Sequence, residues 1–368
     1  MRASRGMIET NCMGCGPVKR RKQLLRQSVK ILSFAAACTL AAGGQPTLQR
    51  FHQTHPAMGT IFTIDLNVAD QATAEQDMDL AFDEIDRLEA ILSNYRPSSE
   101  LSRISREAGS APIVTDPETF RFLDRSFYWS RASNGAFDIT VGLLLRAWGF
   151  FFHQGRIPSQ AELNALRNKV GWKNVALNPE TRTVSFINHQ PIELDPGSIG
   201  KGFAVDAVVK LLRRQGVTSA FISAGGSTLY AIGAVPGTAG WPVDIPDPLH
   251  PGKTAASILL RDASLSTGAC TEKFFIKDGH RYCHIFDPRT MRPVEGMLQT
   301  TVIDPSATDS DALSTVVFVL NSEASRKLLA SRPGTQALIF SQSSCTAINW
   351  TGDPCLEPPI AKGTTQHD

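Results

Sequence analysis

The sequence predicts an α+β fold of mixed, largely antiparallel sheets with packed helices. Three observations carry that expectation. An alternating strand, Ile61 to Leu66, runs into a segment whose apolar residues recur at helical spacing; the later strands and helices lack steady βαβ alternation; and no period of 20 to 50 residues marks a repeat architecture. With 368 residues, 42% of them hydrophobic and 20% charged, the chain can bury one large or two modest cores, and its composition excludes a disordered or collagen-like chain.

From Ala72 to Leu92 the apolar residues Met78, Ala81, Ile85, Leu88 and Leu92 recur at spacings of three and four, with acids and Arg87 between them, which predicts an amphipathic helix. Val205 to Leu212 is predicted helical, ending near Gly216. Ala220 to Ser223 follows as a strand closed by Ala224-Gly225-Gly226. Thr300 to Ile303 is a strand, Asp311 to Leu320 starts an apolar helix, and Ala337 to Phe340 is a late strand.

The net charge of +2 is unevenly spread. Eight of the 37 basic residues and one of the 35 acids fall within residues 1–44, leaving 29 basic against 34 acidic residues in a mildly acidic body. No basic stretch after residue 50 supplies the face that nucleic-acid phosphates require. Lys19-Arg20-Arg21-Lys22, the apolar run from Ile31 through Ala42 and the small residues beyond have the parts of an export signal, so residues 1–45 read as a targeting segment. The run is too short to span a bilayer, and a buried helix is the plain alternative. Arg20-Arg21 raises a twin-arginine signal without the usual aromatic after the pair, and Cys38 is a candidate for lipidation. Cys12 and Cys15 have CxxC spacing but no partner pair downstream, which argues against zinc. Removal of the segment leaves Cys270, Cys283, Cys345 and Cys355. Three disulfide connectivities are open to them; Cys345 with Cys355 is favoured, and free or buried thiols are the alternative.

Three clusters carry chemistry. In Asp195-Pro196-Gly197-Ser198-Ile199-Gly200-Lys201-Gly202, three glycines ahead of a helix allow backbone N–H groups to approach a phosphate, although an ordinary helix-entry turn has the same look. The spacing is neither a P-loop nor a nucleophile elbow. His284 and Asp287, in His280 to Thr290, suit general-base and orienting work; a structural histidine at a strand edge is the plain reading. Asp311 and Thr315 stack on one helical face and offer hard oxygens to a cation such as Mg²⁺, while an Asp near a helix start also suits capping.

Eight stretches occur in a collinear order: Met58-Gly59-Thr60; Leu92 to Pro97 with Ser99 to Ile104; Gly135 to Gly142; Asp195 to Asp206; Gly225-Gly226; Ser266-Thr267-Gly268; His284 to Thr290; and Asp311 to Thr315. Through them the chain resembles the ApbE family of FAD:protein FMN transferases over roughly residues 50 to 345. The divisions that follow are 1–45, a flavin-transferase domain over 46–345, and a C-terminal tail over 346–368. The resemblance implies an exported, periplasmic enzyme that binds FAD with Mg²⁺, attaches the FMN half to a threonine of an acceptor protein and releases AMP. The acceptor it implies is the FMN-binding domain of a membrane respiratory complex. By matching positions, Met58, Tyr95, Ala136, Phe137, Asp138, Asp195, Lys201, Ile285 and Ser314 are the expected FAD contacts. Asp311, Thr315 and the carbonyl of Ser198 are the expected metal ligands, with His284 supported by Asp287 as the catalytic pair. The chain departs from the family's usual residues at Ser105, Gly200, Ser227 and Met291. An FAD pyrophosphatase yielding FMN and AMP, or a non-catalytic periplasmic flavin-binding protein, are the competing readings.

Overall fold

The computed structural model describes residues 47–151, 154–271, 273–352, 354–356 and 360–361. The expected targeting segment, with Arg20-Arg21 and Cys38, lies outside the described residues. The described residues form one compact unit.

Strand β1 (Gln49–Ala57) turns through Met58 and Gly59 into β2 (Thr60–Val68), which contains the expected strand. Both turn residues have positive φ, 50° and 71°, matching the twist of a two-residue hairpin. Helix α1 (Gln71–Leu92) is capped by Asp70, whose carboxylate accepts the Thr73 N–H, and it buries all five apolar positions of the predicted stripe. Next come α2 (Glu100–Glu107), β3 (Ile113–Val114), α3 (Pro117–Ala132), α4 (Gly142–Ala147), α5 (Gln160–Leu166), β4 (Val175–Asn178) and β5 (Thr183–Phe186); β3, β5 and β4 form a small antiparallel sheet. Helix α6 (Gly200–Arg214) leads to β6 (Ala220–Ala224), β7 (Thr228–Ile232), β8 (Trp241–Pro246), β9 (Lys253–Leu260) and β10 (Ala263–Ala269). Two short ribbons follow, β11 (Phe274–Lys277) with β12 (His280–Cys283) and β13 (Phe286–Asp287) with β14 (Arg292–Pro293). The chain closes with β15 (Met297–Asp304), α7 (Ala307–Val319), α8 (Ser322–Leu329), β16 (Gln336–Ser341), β17 (Cys345–Ile348) and β18 (Ile360–Ala361).

Eight strands, in the order β1-β2-β6-β7-β10-β15-β16-β17, make one fully antiparallel sheet, as the α+β reading expects. Alternation along each strand serves two cores. On β16, Ala337 and Ile339 pack with Ala312, Leu313 and Val316 of α7, whereas Leu338 and Phe340 pack with Trp241 and Ile245 of β8 on the other face. A third core joins Phe62, Ile64 and Leu66 of β2 to α1 and α6. Each large aliphatic side chain buried this way is worth about 1.5–3 kcal/mol, enough to hold helices whose first turns are poor in helix formers.

That balance explains two differences from expectation. Helix α6 begins at Gly200, so the glycine-rich segment is itself the first turn. Helix α7 begins at Ala307, capped by the Ser306 hydroxyl, so Asp311 sits in its second turn and does not cap its own helix. At and beyond residue 345, β17 pairs with β16, and Cys345 is bonded to Cys355. Cys270 is bonded to Cys283, which resolves the connectivity in favour of the expected Cys345–Cys355 pair.

Candidate active site

The site is built on the crossing of α6 and α7. A Cβ at Gly202 would lie 2.1 Å from the Ala307 carbonyl oxygen, so only glycine lets the two N-terminal turns meet. Each helix then satisfies the other's orphan N–H groups. Asp206 of α6 accepts from the Ala307 N–H at 2.8 Å, the Thr308 N–H at 2.9 Å, and the Ser306 and Thr308 hydroxyls at 2.7 and 2.6 Å. Asp311 of α7 accepts the Gly202 N–H at 2.9 Å. The capping role open to Asp311 is thus exercised on the neighbouring helix, and the Gly202 N–H is committed to protein.

Asp311 is only 6% exposed, and burial pushes its carboxyl pKa up against the opposing Lys201 charge and Gly202 N–H. The Thr228 hydroxyl faces the same carboxylate but is buried without a hydrogen bond in ordinary geometry. Lys201 bonds to the Ser227 hydroxyl, a neutral partner that leaves its ammonium charge in place. Thr315 lies one turn beyond Asp311, and Ser198 precedes the first turn of α6. The Ser314 hydroxyl is turned back on its own helix, donating to the Asp311 carbonyl at 2.7 Å.

The other half of the site stands on loops. His284 occupies the bend between β12 and β13, and its Nδ1 lies 3.0 Å from the Lys273 carbonyl oxygen. A carbonyl only accepts, so Nδ1 carries the proton and Nε2 holds the lone pair. Burial, aided by the Lys273 and Lys201 charges, pushes the imidazole pKa down to about 4. The support expected from Asp287 goes elsewhere. Its carboxylate is forked by Arg289, at 2.8 Å to Nε and 2.9 Å to Nη2, because the turn after β13 brings the guanidinium back onto it.

Asp195 accepts from the Asn94 amide at 2.7 Å and the Gly197 N–H at 2.8 Å, and burial raises its pKa. It feels the Lys273 charge that also reaches His284, while His284 and Asp311 both feel Lys201. Lys273 thus acts through charge on both Asp195 and His284, and Lys201 on both His284 and Asp311. Within reach of the Asp195 charge, Tyr95 remains 65% exposed and stacks on Phe151 with 4.3 Å between centroids; the Arg146 guanidinium lies 3.5 Å from the Phe151 centroid and bonds both Glu193 oxygens at 2.7 Å.

Four expected contacts turn inward. Ala136 and Phe137 are fully buried, and Ile285 packs beside the Cys270–Cys283 bond. The Asp138 carboxylate is taken by the Thr140 N–H and hydroxyl and the Trp172 N–H, with burial raising its pKa to about 6. Any ligand contact from these four has to be made by main chain or by van der Waals surface. Met58 sits in the positive-φ hairpin turn, beside Thr60, whose hydroxyl would meet a Cβ on Gly225 at 2.0 Å. Asn94, Lys273, and the Arg146–Phe151 pair had been given no role. Asn94 had the signal of standing next to Tyr95; Lys273, in a loop before a ribbon, had none.

A buried carboxylate, two ammonium groups and a neutral imidazole that act on one another through charge can hold a diphosphate, a cation and a hydroxyl nucleophile together. Comparison with known proteins places the chain in a family. The ApbE family model matches residues 58–339. The chain is 30% identical over 330 residues to an FAD:protein FMN transferase of Treponema pallidum, covering 85% of this chain and 89% of that one. Its fold matches the crystal structure of an ApbE protein from Thermotoga maritima with a TM-score of 0.74 and 27% identity, over 82% of this chain and 97% of that one. It matches an apo flavinyl transferase ApbE from Pseudomonas stutzeri at 0.72 and 27%, over 82% and 95%. On fold, collinear motifs and site geometry together, the chain belongs to the ApbE family.

Proposed function

We propose that this protein cleaves the diphosphate of FAD and transfers FMN to a threonine hydroxyl of an acceptor protein, releasing AMP. The observation that carries the reading is that two lysine charges, Lys201 and Lys273, reach the His284 imidazole and the Asp195 and Asp311 carboxylates together. Lys201 and Lys273 attract the diphosphate, and Tyr95 offers an exposed aromatic face to a flavin or adenine ring. Nε2 of His284 accepts the hydroxyl proton as the threonine oxygen bonds to the FMN phosphorus. The bridging P–O bond breaks, and its electron pair leaves with AMP.

The residues fit a divalent cation such as Mg²⁺. Asp311 is a buried carboxylate with only a backbone N–H within hydrogen-bonding geometry, and Thr228 beside it is unsatisfied. Among the described residues no group of three or more His, Cys, Asp or Glu forms a metal site, so the carboxylate would act with the Thr315 hydroxyl and the Ser198 carbonyl, leaving the other positions to phosphate and water. When bound, the cation supplies positive charge against the phosphoryl group and the departing AMP. The basic and apolar N-terminal run and the two disulfides of the body support export from the cytoplasm. Incubating the protein with FAD, Mg²⁺ and a candidate acceptor, then weighing the acceptor, tests the transfer. Sequencing the mature N-terminus tests export.

A further inference from the structure

We infer that the Cys270–Cys283 disulfide is the positioning element for His284, holding the base against the α7 side of the site. This rests on the proposed role of His284. The ribbon that carries the histidine packs Phe275 beside Phe150 and Tyr282 beside Trp148, but its histidine end is tied to the α7 side by the disulfide. Among the described residues, β11 and β12 pair only with each other, and a two-stranded ribbon is marginal by itself in water. His284 follows Cys283 directly, outside both flanking strands.

The disulfide joins this ribbon to the main sheet. Cys270 follows the end of β10, and its N–H donates to the Leu298 carbonyl of β15 at 3.2 Å, while Cys283 closes β12 with 5.3 Å between the two Cα atoms. The closed loop contains Lys273, whose carbonyl accepts both the His284 backbone N–H at 3.1 Å and its ring Nδ1–H at 3.0 Å. Without the bond, the anchor and the base would move together. Both cysteines are buried, at 5% and 2% exposure, in one cluster with Ile285 and Phe318. Phe318 is on α7, two turns beyond Asp311, so the cross-link packs onto the helix that carries the proposed metal ligand. The Cys345–Cys355 bond lies instead with the core on the opposite face of the sheet.

The test compares Cys270→Ala/Cys283→Ala with Cys345→Ala/Cys355→Ala. The first is expected to bind FAD within about twofold of wild type yet transfer FMN at least about tenfold more slowly, since small misplacements of a reacting group are costly. Its His284 resonance, followed by NMR from pH 3.5 to 8, should titrate above the wild-type value of about 4 and nearer to 6.5. The second variant should match wild type in all three measurements. Unchanged transfer and titration in the first variant, or an FAD affinity that falls as far as the rate, would overturn the inference. If the alanine pair does not fold, Cys270→Val/Cys283→Ala refills the volume and is judged by the same readouts. If wild type modifies no acceptor, the transferase reading has failed, and the NMR titration alone decides the positioning.

Discussion

The α6–α7 crossing and the His284 ribbon serve one site by opposite means. The crossing is built from two long helices packed on an eight-stranded sheet, and its key carboxylate is fixed by a backbone N–H of the partner helix. The ribbon is short and lies outside the main sheet; its aromatic pair packs beside Trp148 and Phe150, and its histidine end is fixed by one carbonyl and one covalent bond. On the proposed function, the crossing places charge where a diphosphate and cation would be held, and the ribbon places a base where a protein acceptor would approach. One half of the site is placed by helix packing, the other by a cross-linked ribbon.

The largest effect is expected at the crossing. Asp311→Asn keeps the shape and an oxygen for the Gly202 N–H but removes the charge, so FAD turnover should fall by about 10³-fold at unchanged melting temperature. Steady-state rates with Mg²⁺ varied check it, and near-normal turnover at limiting Mg²⁺ would break the assignment. Asp206→Ala should cost about 3 kcal/mol of stability, read by urea denaturation, because it orphans four donors at the start of α7.

On the ribbon side, His284→Ala should retain FAD binding and slow FMN transfer about 10²-fold, the usual size of a general-base contribution. The wild-type imidazole, held near 4 in the folded protein, binds its proton more weakly there than in the unfolded chain. It therefore adds stability above about pH 6.5 that is lost as pH falls toward 4, and His284→Ala should flatten the urea midpoint across that window. The smallest effect is Met291→Gly, in the turn joining β13 to β14. Relief of a φ of 61° is outweighed by loss of a buried side chain, and a net loss of about 1 kcal/mol is expected by thermal melting.

The same division governs what was legible in the sequence. Period and composition located α1 and β6 because each buries one face, and β2, β15 and β16 because their apolar runs are buried almost throughout. They missed the first turns of α6 and α7, where glycine and capping residues conceal helix that tertiary contact enforces. Asp311, Lys201 and His284 were legible as residues, but their partners were not. That Asp287 goes to Arg289, and that a Lys273 carbonyl sets the His284 tautomer, follow from turns that no spacing rule encodes. Gly202 looked like a phosphate loop and proved to be a helix contact, since both uses demand the same missing Cβ.

The most direct test of the account is the mass of an acceptor protein after incubation with wild type, FAD and Mg²⁺, set beside AMP release. The account predicts one FMN on an acceptor threonine for each AMP formed, and neither product with Asp311→Asn. Free FMN and AMP beside an unmodified acceptor, or equal transfer by Asp311→Asn, would contradict it.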